Sequence, residues 1–146
     1  MITYQITLKD FNKHNKGINA ELSLCEYFNI ERKTLDNKAY NIASDIEIGN
    51  KKISVKSARF TLISGTLCNN STDFNEIWNF YKATTHSNTF VYVSLTGKCY
   101  EMNINEFEKF VFAFCELQKD SESNKGKTKI RAKHESRKMI EFLENL

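Results

Sequence analysis

The sequence lacks the features that mark membrane proteins and zinc-binding proteins. Its longest apolar run, residues 110–115, is much shorter than the roughly 20 residues that a membrane-spanning helix needs. None of its four cysteines stands in a Cys-x-x-Cys pair or a tight cluster with histidine, which argues against a zinc site. Its first residues do not have the layout of a signal peptide. Proline is absent altogether, and we have no physical account of that. We expect a soluble protein of the reducing cytoplasm with no membrane partner.

A strong excess of charge of one sign is also missing. The net charge of +3 is compatible with any partner and does not by itself indicate nucleic acid. The hydrophobic content of 40% and the charged content of 27% are ordinary values for a globular protein. A chain of 146 residues can bury a core without metal or disulfides, so we expect a single domain over residues 1–146.

The most informative stretch of the chain is a predicted hairpin over residues 44–57. Apolar residues alternate with polar neighbours on both sides of a Gly-Asn pair: Ile46, Ile48, Ile53 and Val55. Gly49 and Asn50 tolerate the positive φ angles that a two-residue hairpin turn needs. The pattern therefore predicts two antiparallel strands with the four apolar side chains on one face.

The other face of this hairpin carries an unusual set of polar side chains. Directly opposite residues share a face, and the predicted turn places Asp45 opposite Ser54. Lys56 lies one diagonal step beyond Asp45, and Glu47 is paired with Lys52 on the same face. Such a face can be an ordinary solvated surface with cross-strand ion pairs. It can also be a site that combines an acid, a hydroxyl and a lysine.

This arrangement resembles the hairpin of the PD-(D/E)xK nucleases, which have the restriction-endonuclease-like fold. The resemblance rests on Asp45 in the first strand and on the Ser54-Val55-Lys56 triplet in the second. It implies Mg²⁺ or Mn²⁺ bound by Asp45 beside the scissile phosphate of DNA, with Lys56 polarising the water or the phosphate. Divalent cations of this kind prefer oxygen ligands and activate water for phosphodiester hydrolysis. Ser54 departs from the family pattern, which has an acid there, and the resemblance leaves it as a weak ligand or a hydrogen-bonding group.

A second element of the resemblance is a glutamate on the helix before the hairpin. Residues 18–28 are predicted to form a helix, and Leu24, Cys25 and Phe28 place Glu21 on its apolar face. A carboxylate on that face needs a cation, a hydrogen-bond donor or a metal, unless it lies at the edge and reaches solvent. The resemblance implies that Glu21 is a metal ligand that lies near Asp45.

The remaining pattern predicts an α+β domain with a mixed β-sheet flanked by helices. The resemblance implies the restriction-endonuclease-like α-β-β-β-α-β core, although the same order of elements also fits a generic α+β domain. Helices are expected over 73–84, 103–117 and 135–146, and strands over 89–95, 98–102 and 128–132. A short strand near residues 4–8 competes with a helical turn there. Residues 57–63 can extend the hairpin or bend away from it, and 29–43, 64–72 and 119–127 are predicted loops.

Basic residues near the predicted site are candidate contacts for nucleic acid. Lys56 with Arg59 is the favoured patch because it adjoins the hairpin. A second group of cations lies between residues 125 and 138, and we interpret it as a solvated surface in preference to a phosphate-binding one. Glu47 could replace the missing acid, although it is about 7 Å along the strand from Asp45 and pairing with Lys52 is favoured.

Three functions follow from these patterns. The first is a metal-dependent DNA endonuclease, or a diverged relative, with Glu21, Asp45, Ser54 and Lys56 at its site. The second is a catalytically inactive protein that keeps the scaffold and binds DNA, a protein partner or a second copy of itself, which the loss of an acid at Ser54 favours. The third is an unrelated α+β interaction domain, which applies if another element covers the polar face of the hairpin.

Overall fold

A computed structural model describes residues 1–32, 44–62, 73–119 and 128–146 of the chain. The predicted loops at 29–43, 64–72 and 119–127 lie largely outside these described residues. Within them the chain forms eight strands and four helices: β1 (Ile2–Gln5), α1 (Lys16–Phe28), β2 (Ile46–Ile48), β3 (Lys51–Ser57), β4 (Thr61–Leu62), α2 (Phe74–Thr84), β5 (Thr89–Val93), β6 (Lys98–Met102), α3 (Ile104–Phe114), β7 (Cys115–Lys119), β8 (Thr128–Ala132) and α4 (Arg137–Glu144). None of these helices is long and apolar enough to cross a membrane.

The larger of two sheets has five strands in the order β1-β6-β5-β3-β2. Its strands pair antiparallel except for β3 and β5, which are parallel and are joined through β4 and α2. A mixed sheet with helices is the expected α+β class, and this part of the prediction is confirmed.

The hairpin of β2 and β3 forms in the expected register. Ile46 is opposite Ile53, and Ile48 is opposite Lys51. Gly49 has a φ of 57°, a left-handed conformation that glycine adopts without steric cost. The turn therefore consists of the two residues that the pattern indicated.

The larger sheet is covered on both faces. Helix α1 packs its buried residues against Ile46, Ile53 and Val91 on one face. On the other face the core contains Phe90 and Tyr92 of β5. Packed with them are apolar residues of three helices: Ile77, Trp78 and Tyr81 of α2, Phe107, Phe110 and Val111 of α3, and Met139 and Leu143 of α4. Alternate residues of β3 and β5 therefore belong to different cores, since successive strand side chains point to opposite faces.

All four helices begin at a capping side chain, and two of these caps bear on the sequence predictions. Asp73 accepts hydrogen bonds from the amides of Asn75 and Glu76, which begins α2 where the capping pattern predicted. Helix α4 begins later than expected because Ser136 is its cap and accepts from the Met139 amide at 3.2 Å. Glu135, which was predicted to open that helix, instead accepts from Tyr92 Oη at 2.8 Å.

The smaller sheet has three strands in the order β4-β8-β7. Strand β7 is a correction to the sequence prediction, which extended the preceding helix to about Leu117. The helix ends at Phe114 because Cys115 and the residues after it pair with β8, with Cys115 opposite Ala132 and Leu117 opposite Ile130. Ladder pairing with a distant strand thus overrides the local helical pattern.

The chain leaves β3 by a sharp bend, which answers the open question for residues 57–62, the described part of the predicted stretch 57–63. Ala58 has a φ of 49°, which is unusual for a residue with a Cβ. Beyond it Phe60 is buried, its carbonyl accepts from the Ala132 amide at 2.9 Å, and β4 pairs with β8. The bend therefore carries the chain from the larger sheet to the smaller one.

Candidate active site

Two of the predicted site residues form an acid pair, which we define as Glu21 and Asp45. Glu21 lies on α1, and its carboxyl group is close enough to that of Asp45, just before β2, for the two to interact electrostatically. Burial and then the neighbouring negative charge of Asp45 raise the pKa of Glu21 to about 7. Arg32 opposes this shift, since its Nε donates to Glu21 Oε2 at 2.7 Å. Glu21 therefore keeps its proton to a higher pH than an ordinary glutamate does.

The position of Asp45 differs from the prediction. Its amide donates to the carbonyl of Ile53 at 2.8 Å, although Ile53 is already the partner of Ile46. This offset of one residue, similar to a β-bulge, means that Asp45 does not stand opposite Ser54 as expected. Its Oδ2 accepts from the amide of Val55 at 2.8 Å, and its carboxylate lies with Glu21 of α1.

Ser54 and Lys56 lie on the opposite face of the sheet from the α1 core. They are opposite Phe90 and Tyr92 in β5, whose side chains belong to the core beneath α2 and α3. Ser54 is only 5% exposed. The prediction that Asp45, Ser54 and Lys56 share one face of the hairpin is wrong. The offset turns the Asp45 side chain toward α1, whereas Ser54 and Lys56 stay on the opposite face.

Lys56 points toward aromatic side chains. Its Nζ is 5.9 Å from the centre of the Tyr81 ring and 6.0 Å from that of Phe60, distances typical of cation–π contacts. Its charge also lowers the pKa of the Cys115 thiol, although burial raises that pKa to about 12. Aromatic rings therefore hold the Lys56 side chain in place. Among the described residues, no carboxylate forms an ion pair with it.

An open cleft of about 670 Å³ connects these two faces. Glu21 lines it together with Lys56 and Arg59, so three predicted residues border the same space. Its other charged residues and its histidine are Lys16, Lys129, Arg131 and His134. Among the described residues on the wall of this cleft, which we call the basic cleft, Glu21 is thus the one acidic residue beside several cations.

Three residues of this region escaped the sequence prediction of the site. Arg32 is the ionic partner of Glu21, while Lys129 and Arg131 come to the cleft on β8. The signal for the last two was present, because Lys129 and Arg131 alternate with buried Ile130 and Ala132. The sequence pattern favours a solvated surface for the cations of this region, whereas the pairing of β8 with β4 places these two at the cleft.

A divalent cation fits the acid pair better than it fits the predicted set of ligands. Asp45 lies close enough to Glu21 to raise the pKa of its carboxyl group, a cation between the two would relieve this repulsion, and carboxylate oxygens are the ligands that Mg²⁺ and Mn²⁺ prefer. Ser54 cannot join them, since it is buried on the other face. No group of three metal-binding side chains occurs within the described ranges, so water or phosphate oxygens would complete the coordination.

Glu47 does not replace the missing acid in the described structure. It is exposed, it lies opposite Lys52, and it accepts from Ser44 Oγ at 3.2 Å. Asp45 is therefore the residue of the hairpin that contacts Glu21.

Comparisons with models of known protein families, with curated proteins and with solved structures found no match to this chain.

Proposed function

We propose that the protein is a metal-dependent nuclease that hydrolyses phosphodiester bonds of DNA. The observation that carries the proposal is the acid pair of Glu21 and Asp45, whose glutamate borders a cleft otherwise rich in cations. Phosphodiester cleavage needs both parts, because acids hold a divalent cation and cations hold the phosphate backbone.

Each residue has a distinct role in this proposal. Glu21 and Asp45 would hold Mg²⁺ or Mn²⁺, which supplies an activated water and neutralises the charge that develops on the phosphate. The Val55 amide fixes Asp45, and the Arg32 guanidinium fixes Glu21, so both carboxylates keep their orientation without metal. Lys56, on the wall of the same cleft, would contact a phosphate oxygen, and Arg59 would contact the backbone beyond it.

A cleavage assay tests the proposal directly. We expect plasmid DNA to be nicked or linearised with Mg²⁺ or Mn²⁺, and to stay intact with chelator. Asp45→Asn should abolish cleavage, whereas Glu47→Gln, which removes the next acid of the same strand, should leave it unchanged. Cleavage that survives Asp45→Asn, or that tolerates chelator, would refute the proposed mechanism.

A second candidate is a protein that binds DNA, or inhibits a protein partner, without cleaving DNA. The ion pair between Arg32 and Glu21 favours it, because a guanidinium already neutralises the glutamate that a metal would need. Burial of Ser54 also leaves open an unrelated interaction domain, since the core beneath α2 and α3 covers that face of the hairpin. Calorimetric titration with Mn²⁺ separates these candidates from the nuclease. Only the nuclease requires that Mn²⁺ binds to the wild type and that Asp45→Asn removes this binding.

A further inference from the structure

The smaller sheet has one apolar face and one polar face, and the polar face borders the basic cleft. Ile130 and Ala132 of β8 are buried in the core, whereas Lys129 and Arg131 alternate with them and line the cleft. Arg59, just before β4, lines the same cleft. The pairing of β4 with β8 therefore brings two arginines that are far apart in sequence to one wall.

These two arginines differ from other arginines of the described structure. Arg32 and Arg137 each pair with a glutamate, at 2.7 and 3.1 Å. Arg131 donates from Nη1 to a neutral acceptor, Gln118 Oε1, at 3.2 Å. The side chain of Arg59 makes neither a hydrogen bond nor an ion pair with the described residues. The Nε atoms of Arg59 and Arg131 are closed off from solvent and have no acceptor within the described ranges.

A cationic N–H group that is buried without an acceptor is costly. Both side chains are only half-buried and line the cleft, so an anion that enters it can approach their remaining N–H groups and offset this cost. Guanidinium groups match phosphate oxygens with two parallel hydrogen bonds, and their planar shape makes them strong phosphate ligands. Lys16 and Lys56 on the same cleft add charge that suits a ligand with repeated anionic groups. The DNA backbone has this chemistry.

We propose that Arg59 and Arg131 form a phosphate clamp that binds the DNA backbone on the smaller sheet, beside the acid pair. The choice of DNA as the ligand rests on the proposed function. The clamp acts on binding, before and independently of any metal. Its contacts are to phosphates, so it adds affinity without sequence preference.

Fluorescence anisotropy with a labelled DNA duplex tests the clamp in chelator, where no cleavage occurs. Arg59→Ala and Arg131→Ala should each weaken binding by roughly tenfold, as the loss of a hydrogen bond to a charged group predicts. Each should also lower the slope of log affinity against log salt concentration by about 1. The matched control is Lys109→Ala, which removes one charge from the exposed part of α3 and should change neither quantity.

Two further measurements keep the clamp and the nuclease proposal apart. Asp45→Asn should keep full DNA affinity in chelator while losing the stabilisation by Mn²⁺. Arg59→Lys, which keeps the charge and preserves folding, should regain part of the affinity lost in Arg59→Ala. Circular dichroism melting confirms that each variant is folded.

Each remaining outcome overturns one proposal. Wild-type affinity and salt slope in both arginine variants would refute the clamp, and with it the backbone contact proposed for Arg59, but would leave metal binding and cleavage at the acid pair untouched. If the wild type binds polyglutamate and DNA with equal affinity, and the arginine variants lose affinity for both to the same extent, DNA is refuted as the ligand. Intact clamp behaviour without any effect of Mn²⁺ would refute the nuclease and leave a DNA-binding protein.

Discussion

Replacing Glu21 with glutamine tests whether the acid pair is held as the structure describes. The pKa of Glu21 is raised from its ordinary 4.5 to about 7, first by burial and then by Asp45. The folded protein therefore binds this proton more tightly than the unfolded chain does. Stability from this group is complete below pH 4.5 and is lost as the pH rises toward 7, because the unfolded chain ionises first.

The size of the effect follows from the shift. Each pH unit between the two pKa values is worth about 1.4 kcal/mol, so the wild type should lose on the order of 3 kcal/mol across this range relative to a non-ionisable variant. The Glu21 side chain is 18% exposed, so solvent screens this effect only in part. Loss of the Arg32 contact in Glu21→Gln changes the absolute stability, and the pH dependence is therefore the quantity to compare.

Urea unfolding at a series of pH values provides the measurement. Trp78 is the only tryptophan and is 1% exposed, so its fluorescence reports on unfolding of the core. The free energy of unfolding of Glu21→Gln should rise relative to wild type between pH 4.5 and 7. Glu31→Gln removes an exposed acid that forms no ion pair with the described residues, and this variant should follow the wild-type profile. Parallel profiles for Glu21→Gln and wild type would refute the description of the acid pair.

The remaining predictions concern metal binding and the stability of the fold. Mn²⁺ should raise the melting temperature of the wild type, with about 2.7 kcal/mol of stabilisation at a hundredfold excess over Kd, and Glu21→Gln and Asp45→Asn should each diminish the rise. If Mn²⁺ raises the melting temperature of Glu21→Gln as much as that of the wild type, while Asp45→Asn shows no rise, Glu21 is excluded as a ligand. Ser54→Glu should destabilise the fold, because it places a carboxylate at a 5% exposed position, and increased cleavage by this variant would contradict the assigned face. Leu24→Ala should cost about 2–5 kcal/mol in urea unfolding, and a loss below this range would argue against tight packing of α1.

The acid pair could be predicted in part. Helical spacing places Glu21 toward the apolar side of α1, and the resemblance pairs it with Asp45, which the structure brings into contact with it. The predicted face of Asp45 was wrong because strand alternation assumes an unbroken ladder. An offset of one residue reverses a side chain, and it depends on the hydrogen bond between the Asp45 carboxylate and the Val55 amide.

The basic cleft was harder to predict because its walls come from distant parts of the chain. Arg59 adjoins the hairpin in sequence, but Arg131 reaches it only through the pairing of β8 with β4. Periodicity could identify Arg131 as a surface residue of a strand. The periodicity could not show whether the Arg131 side of the strand faces open solvent or lies across the cleft from other charged residues.

Local patterns by themselves determined the hairpin turn at Gly49, the cap of α2 at Asp73 and the strand at 98–102, because each depends on residues within a few positions of one another. Tertiary structure alone decided where α3 gives way to β7, on which side of the sheet Asp45 lies and which cations surround Glu21. These features depend on hydrogen bonds and burial between segments that are far apart in the chain. Such contacts outweigh local preferences of a few tenths of a kcal/mol per residue, about the size of helix propensity differences.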